Sequence, residues 1–583
     1  MKIRFISISN FRGFEKIELK PRDHVLLVGG PGAGRSDLIE ALWRVLSAES
    51  SRYALLEDLD FFNRDLAKRI EIEVVLGDLG PHLEQAFLDR LELWDLDTGQ
   101  LIQELSPGSD RDPDSLENVV RFCYRAVWDS DQQQARQWVD FPKFSDPEGE
   151  YFHHVPRILR EELPVAFVSS SGLPLSLGAR GDLRKLINAQ DKTDFPGSLD
   201  RLIDGIAELA EGIVQSQDLA KIIERILEPL RIPLGLGDRS ASDILQFAPE
   251  GGSLASILRG LQPIMKLRED LGFLPLIRHG STLRALLQLS QALARSDSSD
   301  AVIVVDDFGE NIDIDIAQHL ASILQNRAAQ LWLSTLRGSV GQCFRLEDMV
   351  RLTVSSDGVR CAHIGQVPVS KAERLALRHL HLQILPAISS QAVVVVEGPH
   401  DRSVLAAAAV KLNMEEGVPL PASQRIAFLD AGAAEGSGGV SAIPRLASLA
   451  RNLGFHVIAI IDCDRDAEAA EQHLIQNLEA ANVVIRWPQG YAIEKALLNG
   501  LDEEDIRTAL KDLSEAHSIP LGFDPNTLSA GKLVDRAMRF LKSSGGLHAP
   551  FVDALPENCI PPLVRKCLEE IPQAINKTGL VQL

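Results

Sequence analysis

Apolar positions cluster in short runs separated by polar turns, and the run lengths change along the chain. The opening IRFISISNF alternates in the manner of a half-buried strand. It is followed by FEKIELKPRDHVLLVGG, where the run Val25–Val28 reads as a strand buried on both faces. A glycine-rich turn leads into the helical pattern SDLIEALWRVL, and 69–77 and 117–128 add strand-like stretches, predicting a β-rich lobe. From about Ser198 to Leu230 apolar residues recur at spacings of three and four. That pattern suits a helical insertion used for dimerisation or a packed pair of core helices equally well. A second α/β stretch holds the helix LRALLQLSQALA and the strands AVIVVDD and QLWLS, and ends near 365. After the helical connector KAERLALRHLHLQIL, the segments QAVVVVEGPHD, IAFLDAG and HVIAIIDCDRD alternate with helices, which predicts a parallel sheet.

The boundaries that follow are 1–160 and 251–370 for two parts of one α/β unit, 161–250 for the helical insertion, 371–390 for the connector and 391–583 for a second α/β domain. At 583 residues the chain is too long for one core. It has 45% hydrophobic and 24% charged residues, an ordinary globular balance. No apolar run has membrane-spanning length, and six scattered cysteines show no metal-ligand spacing, so a reduced, cytoplasmic setting with no membrane is expected. The net charge of −22 weighs against a broadly basic nucleic-acid surface. DNA binding would then need a local basic patch, or divalent metal bridging carboxylates to phosphate.

Two sets of residues carry candidate chemistry. Gly29 to Ser36 (GGPGAGRS) fits the phosphate-loop spacing with arginine in the lysine position, between a predicted strand and a predicted helix. Gly29, Gly32 and Gly34 let backbone N–H groups turn toward phosphate, Arg35 takes the lysine place, and Ser36 is positioned for Mg2+. The strand AVIVV delivers Asp306 and Asp307, the former toward Mg2+ and the latter where a catalytic acid belongs. In the second set, Glu397 follows Val393–Val396, Asp401 comes four residues later, and VIAII delivers Asp462 and Asp464, with Asp466 beyond. Carboxylates at the C-terminal ends of parallel strands converge on the usual site of an open α/β sheet. Hard oxygen donors without a histidine cluster favour Mg2+ or Mn2+.

The first part, from NFRGFEKIEL through the phosphate loop and Asp306-Asp307, resembles the RecF/SMC/ABC ATPases. The resemblance places a signature remnant at Gly280-Ser281 and implies bound ATP with Mg2+. Arg35 for lysine, Asp307 for glutamate, and Leu336 or Arg337 where the family has a switch histidine imply weak or absent hydrolysis. The glutamate followed by DxD resembles the Toprim domain of topoisomerases, primases and OLD nucleases. The order of the two parts is similar to that of the OLD (overcoming lysogenisation defect) family, which includes the nuclease subunit of the Gabija antiphage system.

That resemblance implies divalent-metal-dependent DNA cleavage or nicking, antiphage defence, a homodimer or homotetramer, and a helicase-like or other partner protein. It adds Glu494 as a further acidic ligand, and Lys532, Lys542 or His548 as the basic residue assisting cleavage. The competing expectation is a non-catalytic, nucleotide-dependent DNA-binding or assembly factor whose sites are degenerate.

Overall fold

The computed structural model describes residues 1–50, 55–102, 113–168, 175, 217–248, 262–268, 272–295, 301–432, 442–463, 467–543, 546–575 and 577–583. Asp464, Asp466 and much of the expected helical insertion (169–174, 176–216 and 249–250) lie outside the described residues. The chain divides into two compact units. The first comprises Met1–Val28, Gly32–Phe344 and Asp348–Ala362, and the second Gly29–Pro31, Arg345–Glu347 and His363–Leu583. Among the described residues no helix is long and apolar enough to cross a membrane.

The strands that run through the first part of the chain are β1 (Lys2–Phe11), β2 (Phe14–Leu19), β3 (Val25–Val28), β4 (Ile70–Gly77), β5 (Glu92–Asp95), β6 (Gln100–Ile102), β7 (Leu116–Asp129), β8 (Gln134–Asp140) and β9 (Val165–Val168). Seven of them make one sheet in the order β2-β1-β4-β7-β5-β6, with β8 on β7. Its known pairings, such as β1 with β4 and β4 with β7, are antiparallel. A small sheet joins β10 (Leu245–Ala248), β11 (Gln262–Met265) and β12 (Leu274–Pro275).

The sheet that matters for the site adds β13 (Val302–Val305), β14 (Gln330–Ser334), β15 (Met349–Val354) and β16 (Arg360–Ile364), in the order β16-β15-β3-β14-β13-β9. From β15 to β9 every neighbouring pair is parallel. The strands VLLV, VIVV and QLWLS are buried along their whole length, as parallel strands covered on both faces must be. Strand β14 lies between β3 and β13, so its last residue, Ser334, falls between the phosphate loop's strand and the strand that delivers Asp306. Helices α1 (Arg35–Leu46), α2 (Gln217–Leu227), α3 (Ser281–Arg295) and α4 (Ile314–Arg327) complete this unit's main elements.

Gln330 opens β14 with a fully buried side chain whose polar atoms are all engaged. Its Nε2 donates to the carbonyls of Ile3 (3.1 Å) and Asp23 (2.9 Å). Its Oε1 accepts from the Ile3 N–H (2.8 Å) and the Trp332 indole (3.0 Å). The side chain thus ties β1 of the antiparallel sheet to β14 of the parallel one. Gln330→Leu keeps the volume but leaves these buried groups without partners, so unfolding stability is expected to fall by about 3 kcal/mol. Urea denaturation of the full chain checks this, and a midpoint equal to the parent's would contradict it.

In the second unit, α5 (Lys371–Ile384) occupies most of the expected connector and precedes a five-stranded sheet. Its strands are β17 (Ala392–Val396), β18 (Ile426–Asp430), β19 (His456–Ile461), β20 (Val483–Arg486) and β21 (Gly579–Gln582), in the order β18-β17-β19-β20-β21. All four pairings are parallel, as the strand–helix alternation predicts. The chain goes from β17 to β18 on one side, then returns to β19 on the other. The strand order therefore reverses between β17 and β19, which opens a crevice at their C-terminal ends. Alternate β17 and β19 residues (Ala392, Val394, Val396, Ile458, Ile460) fill one core with the helices over them. Helices α6 (Pro399–Glu416), α7 (Ile493–Leu498), α8 (Ala530–Ser543) and α9 (His548–Asp553) bring side chains to the site.

Candidate functional sites

In the first unit, Gly32 and Gly34 have φ of +79° and +97°, left-handed values that favour glycine and turn the loop into α1. Space beside Gly32 is open, and Ser36 is exposed at the start of α1. Those features fit a phosphate chain cradled by the loop and the helix start. The Arg35 side chain goes elsewhere. It is 9% exposed, with Nη1 donating to the Thr335 carbonyl (3.2 Å) and Nη2 to Asp307 Oδ1 (3.4 Å).

The facing acids are held just as closely. Ser334 donates its hydroxyl to Asp306 Oδ1 at 2.5 Å. The Asp307 N–H reaches both Ser334 Oγ (2.8 Å) and Asp306 Oδ1 (3.1 Å). These bonds hold Asp307 at φ +47°, a conformation that aspartate tolerates better than most residues and that turns the chain sharply after β13. Burial pushes the Asp307 carboxyl up, Asp306 and Glu310 add to that, and Arg35 opposes it. Burial pulls Arg35 down against the attraction of Asp307, Asp306 and Glu310.

Ser281, the first residue of α3, and Arg284 line a cleft with Asp306, Asp307 and Glu310, so the expected signature remnant and the acidic turn share one recess. Leu336 and Arg337 follow Ser334 and Thr335, and the Arg337 guanidinium donates to the Glu310 carbonyl (3.0 Å). Sequence reasoning overlooked Ser334 and Thr335. Their signal was a polar pair directly after the apolar run Leu331–Leu333. The residues suit phosphate. They suit a divalent ion poorly, because a buried guanidinium already sits on the acid beside Asp306.

In the second unit, Glu397 and Asp462 each come one residue after the ends of adjacent parallel strands, β17 and β19, on the two sides of the crevice. Both are partly buried. Asp401 is in the first turn of α6, and its Oδ2 accepts the Gly398 N–H at 2.9 Å, capping the helix. Burial pushes its carboxyl up to about 6, helped by Glu494 and opposed by the Gly398 N–H and His548.

Glu494, in the first turn of α7, faces His548 Nε2 at 3.7 Å and Lys542 Nζ at 3.5 Å. Burial alone would raise Glu494, but the His548 ring and Lys542 outweigh it and hold the carboxyl below its usual range. His548, 1% exposed, stacks on His400 with ring centres 4.4 Å apart. Burial and His548 pull His400 down. Lys532 is exposed on α8. His400 was not singled out in the sequence, although its place directly before Asp401 was the available signal.

Asp401, Glu494, His400, His548 and Lys542 thus form one connected group. Among the described residues, no three or more His, Cys, Asp or Glu side chains are gathered closely enough to hold a metal ion. The donors at the crevice are carboxylates, whose hard oxygens fit Mg2+ or Mn2+, with Glu397 and Asp462 as the first candidates to hold it.

No protein-family model and no curated protein matches the chain. Among solved structures it is similar to the SMC head in the crystal structure of the SmcHead bound to the C-winged helix domain of ScpA, at 17% identity and a TM-score of 0.37, covering 64% of this chain and 99% of that one. It is also similar to the SMC head domain from Thermotoga maritima, at 11% identity and a TM-score of 0.28, covering 63% of this chain and 100% of that one.

Proposed function

We propose that the chain is a divalent-metal-dependent DNA endonuclease of the OLD type. In this reading the second unit is a Toprim domain that cuts or nicks, and the first is an ABC-type nucleotide-binding domain that controls it. The observation that carries the reading is the placement of Glu397 and Asp462 at the ends of adjacent parallel strands, on either side of the point where strand order reverses. Asp464 belongs to the same reading from the sequence.

Glu397 and Asp462 would hold the metal, with Asp401 and Glu494 as further acidic donors. Bound there, the metal would supply a water nucleophile and offset charge on the leaving oxygen. The protein's part is to fix the carboxylates on rigid strand ends, and to place His548 and Lys542 beside Glu494, where positive charge can meet the scissile phosphate. A homo-oligomer, a helicase-like partner and a role in antiphage defence in the cytoplasm belong to this proposal through the family resemblance alone.

The testing experiment is incubation of supercoiled plasmid with the full chain and Mg2+ or Mn2+, with and without ATP and with EDTA as control. Nicked or linear product that EDTA abolishes is the expected result. A second reading, a non-catalytic nucleotide-dependent DNA-binding factor, is favoured by the Arg35–Asp307 pair, which occupies the cation a hydrolytic site would use. Retarded but uncut plasmid in every metal condition would select it.

A further inference from the structure

The turn after β13 places Asp306, Asp307 and Glu310 within five residues, and all three act on one another or on Arg35. Like charges at such spacing need a compensating cation, and a bound divalent ion is the ordinary one at a phosphate site. Here the cation is part of the chain. Arg35 sits at the start of α1, 272 residues away from Asp307 in sequence, and extends a nearly buried guanidinium to it.

We propose that Arg35 is the resident counter-cation of the Asp306–Asp307–Glu310 turn, so that the first unit takes up a nucleoside triphosphate without requiring a divalent ion. The inference rests on the nucleotide-binding part of the proposed function. Its geometry depends on arginine rather than lysine. One nitrogen of the planar fork reaches the carbonyl after β14 while another reaches the acid after β13, a span a single ammonium cannot divide in the same way. Phosphate would then be met by the open loop at Gly32, the backbone N–H groups at the start of α1 and the exposed Ser36, none of which needs a metal.

The test is binding of a fluorescent ATP analogue to the full chain in Mg2+ and in EDTA, for the parent and for Arg35→Gln, with Arg35→Lys as a charge-retaining control. The parent's affinity is expected to change less than about threefold between the two conditions, and that of Arg35→Gln to fall about tenfold or more in EDTA. A parent whose affinity falls tenfold in EDTA overturns the proposal.

Thermal unfolding without nucleotide separates this outcome from failure of the nucleotide reading itself. Mg2+ should raise the midpoint of Arg35→Gln by roughly 2 °C more than that of the parent, because only the variant exposes uncompensated acids. Equal shifts overturn the counter-cation role. A larger shift in Arg35→Gln, with no nucleotide bound by either protein, sustains that role and removes the nucleotide reading alone.

Discussion

Glu397→Ala and Asp462→Ala are each expected to lower metal-dependent plasmid cleavage by about a thousandfold or more, with the fold intact. Each carboxylate stands one residue beyond the buried C-terminal end of its strand, so truncation removes a donor without opening the core. The double variant should be little worse than either single one, because two donors to one centre act as a unit and their losses do not multiply. Time courses of supercoiled plasmid loss in Mn2+, beside thermal melts of each variant, provide the measurement. Parental cleavage by Glu397→Ala would remove that residue from the metal assignment. Parental cleavage by both variants would move the cutting site away from the crevice altogether.

Much of the sheet framework was legible in the sequence for a simple physical reason. Strands such as VLLV, VIVV and AVVVV are covered on both faces, and only unbroken apolar runs satisfy that environment. The carboxylates that follow such runs were equally visible, since the polarity switch from Val396 to Glu397 or from Ile461 to Asp462 is abrupt. Strand order was not legible. That β14 lies between β3 and β13 depends on its pairing with β3 across hundreds of residues, and the contact of Ser334 with Asp306, 28 residues apart, depends on the neighbouring pairing of β14 with β13.

The destination of a long side chain was harder still. Arginine at position 35 stood out as a departure from lysine, but nothing local says whether its fork turns to phosphate or to Asp307. The same holds for Glu494, which reads locally as an exposed helix residue beside Lys495. Its burial and its partners Lys542 and His548 come from helices packed on the sheet much later in the chain.

Those partners bear on the basic residue that sequence alone left open among Lys532, Lys542 and His548. His548→Ala is expected to reduce cleavage by about a hundredfold to a thousandfold, the range for removing one preorganised charge-stabilising donor. The His548 ring is buried against Glu494 and stacked on His400, so its position is fixed before substrate arrives. Lys542 reaches the same carboxylate at 3.5 Å, but its side chain is 51% exposed, so part of its charge is screened by water and its reach must be ordered on binding. Lys542→Ala should therefore cost less, about tenfold.

Lys532→Ala, on an exposed face of α8, should stay within about twofold of the parent. Cleavage rates of the three variants at saturating Mn2+ decide among them, with His548→Lys included to supply a cation without the ring. Recovery of most of the rate by His548→Lys would assign His548 a charge-stabilising role. A His548→Lys protein as slow as His548→Ala, while both fold, would assign it instead to holding His400 and Glu494 in place. A large loss confined to Lys532→Ala would show that the scissile phosphate lies away from the Glu494 group.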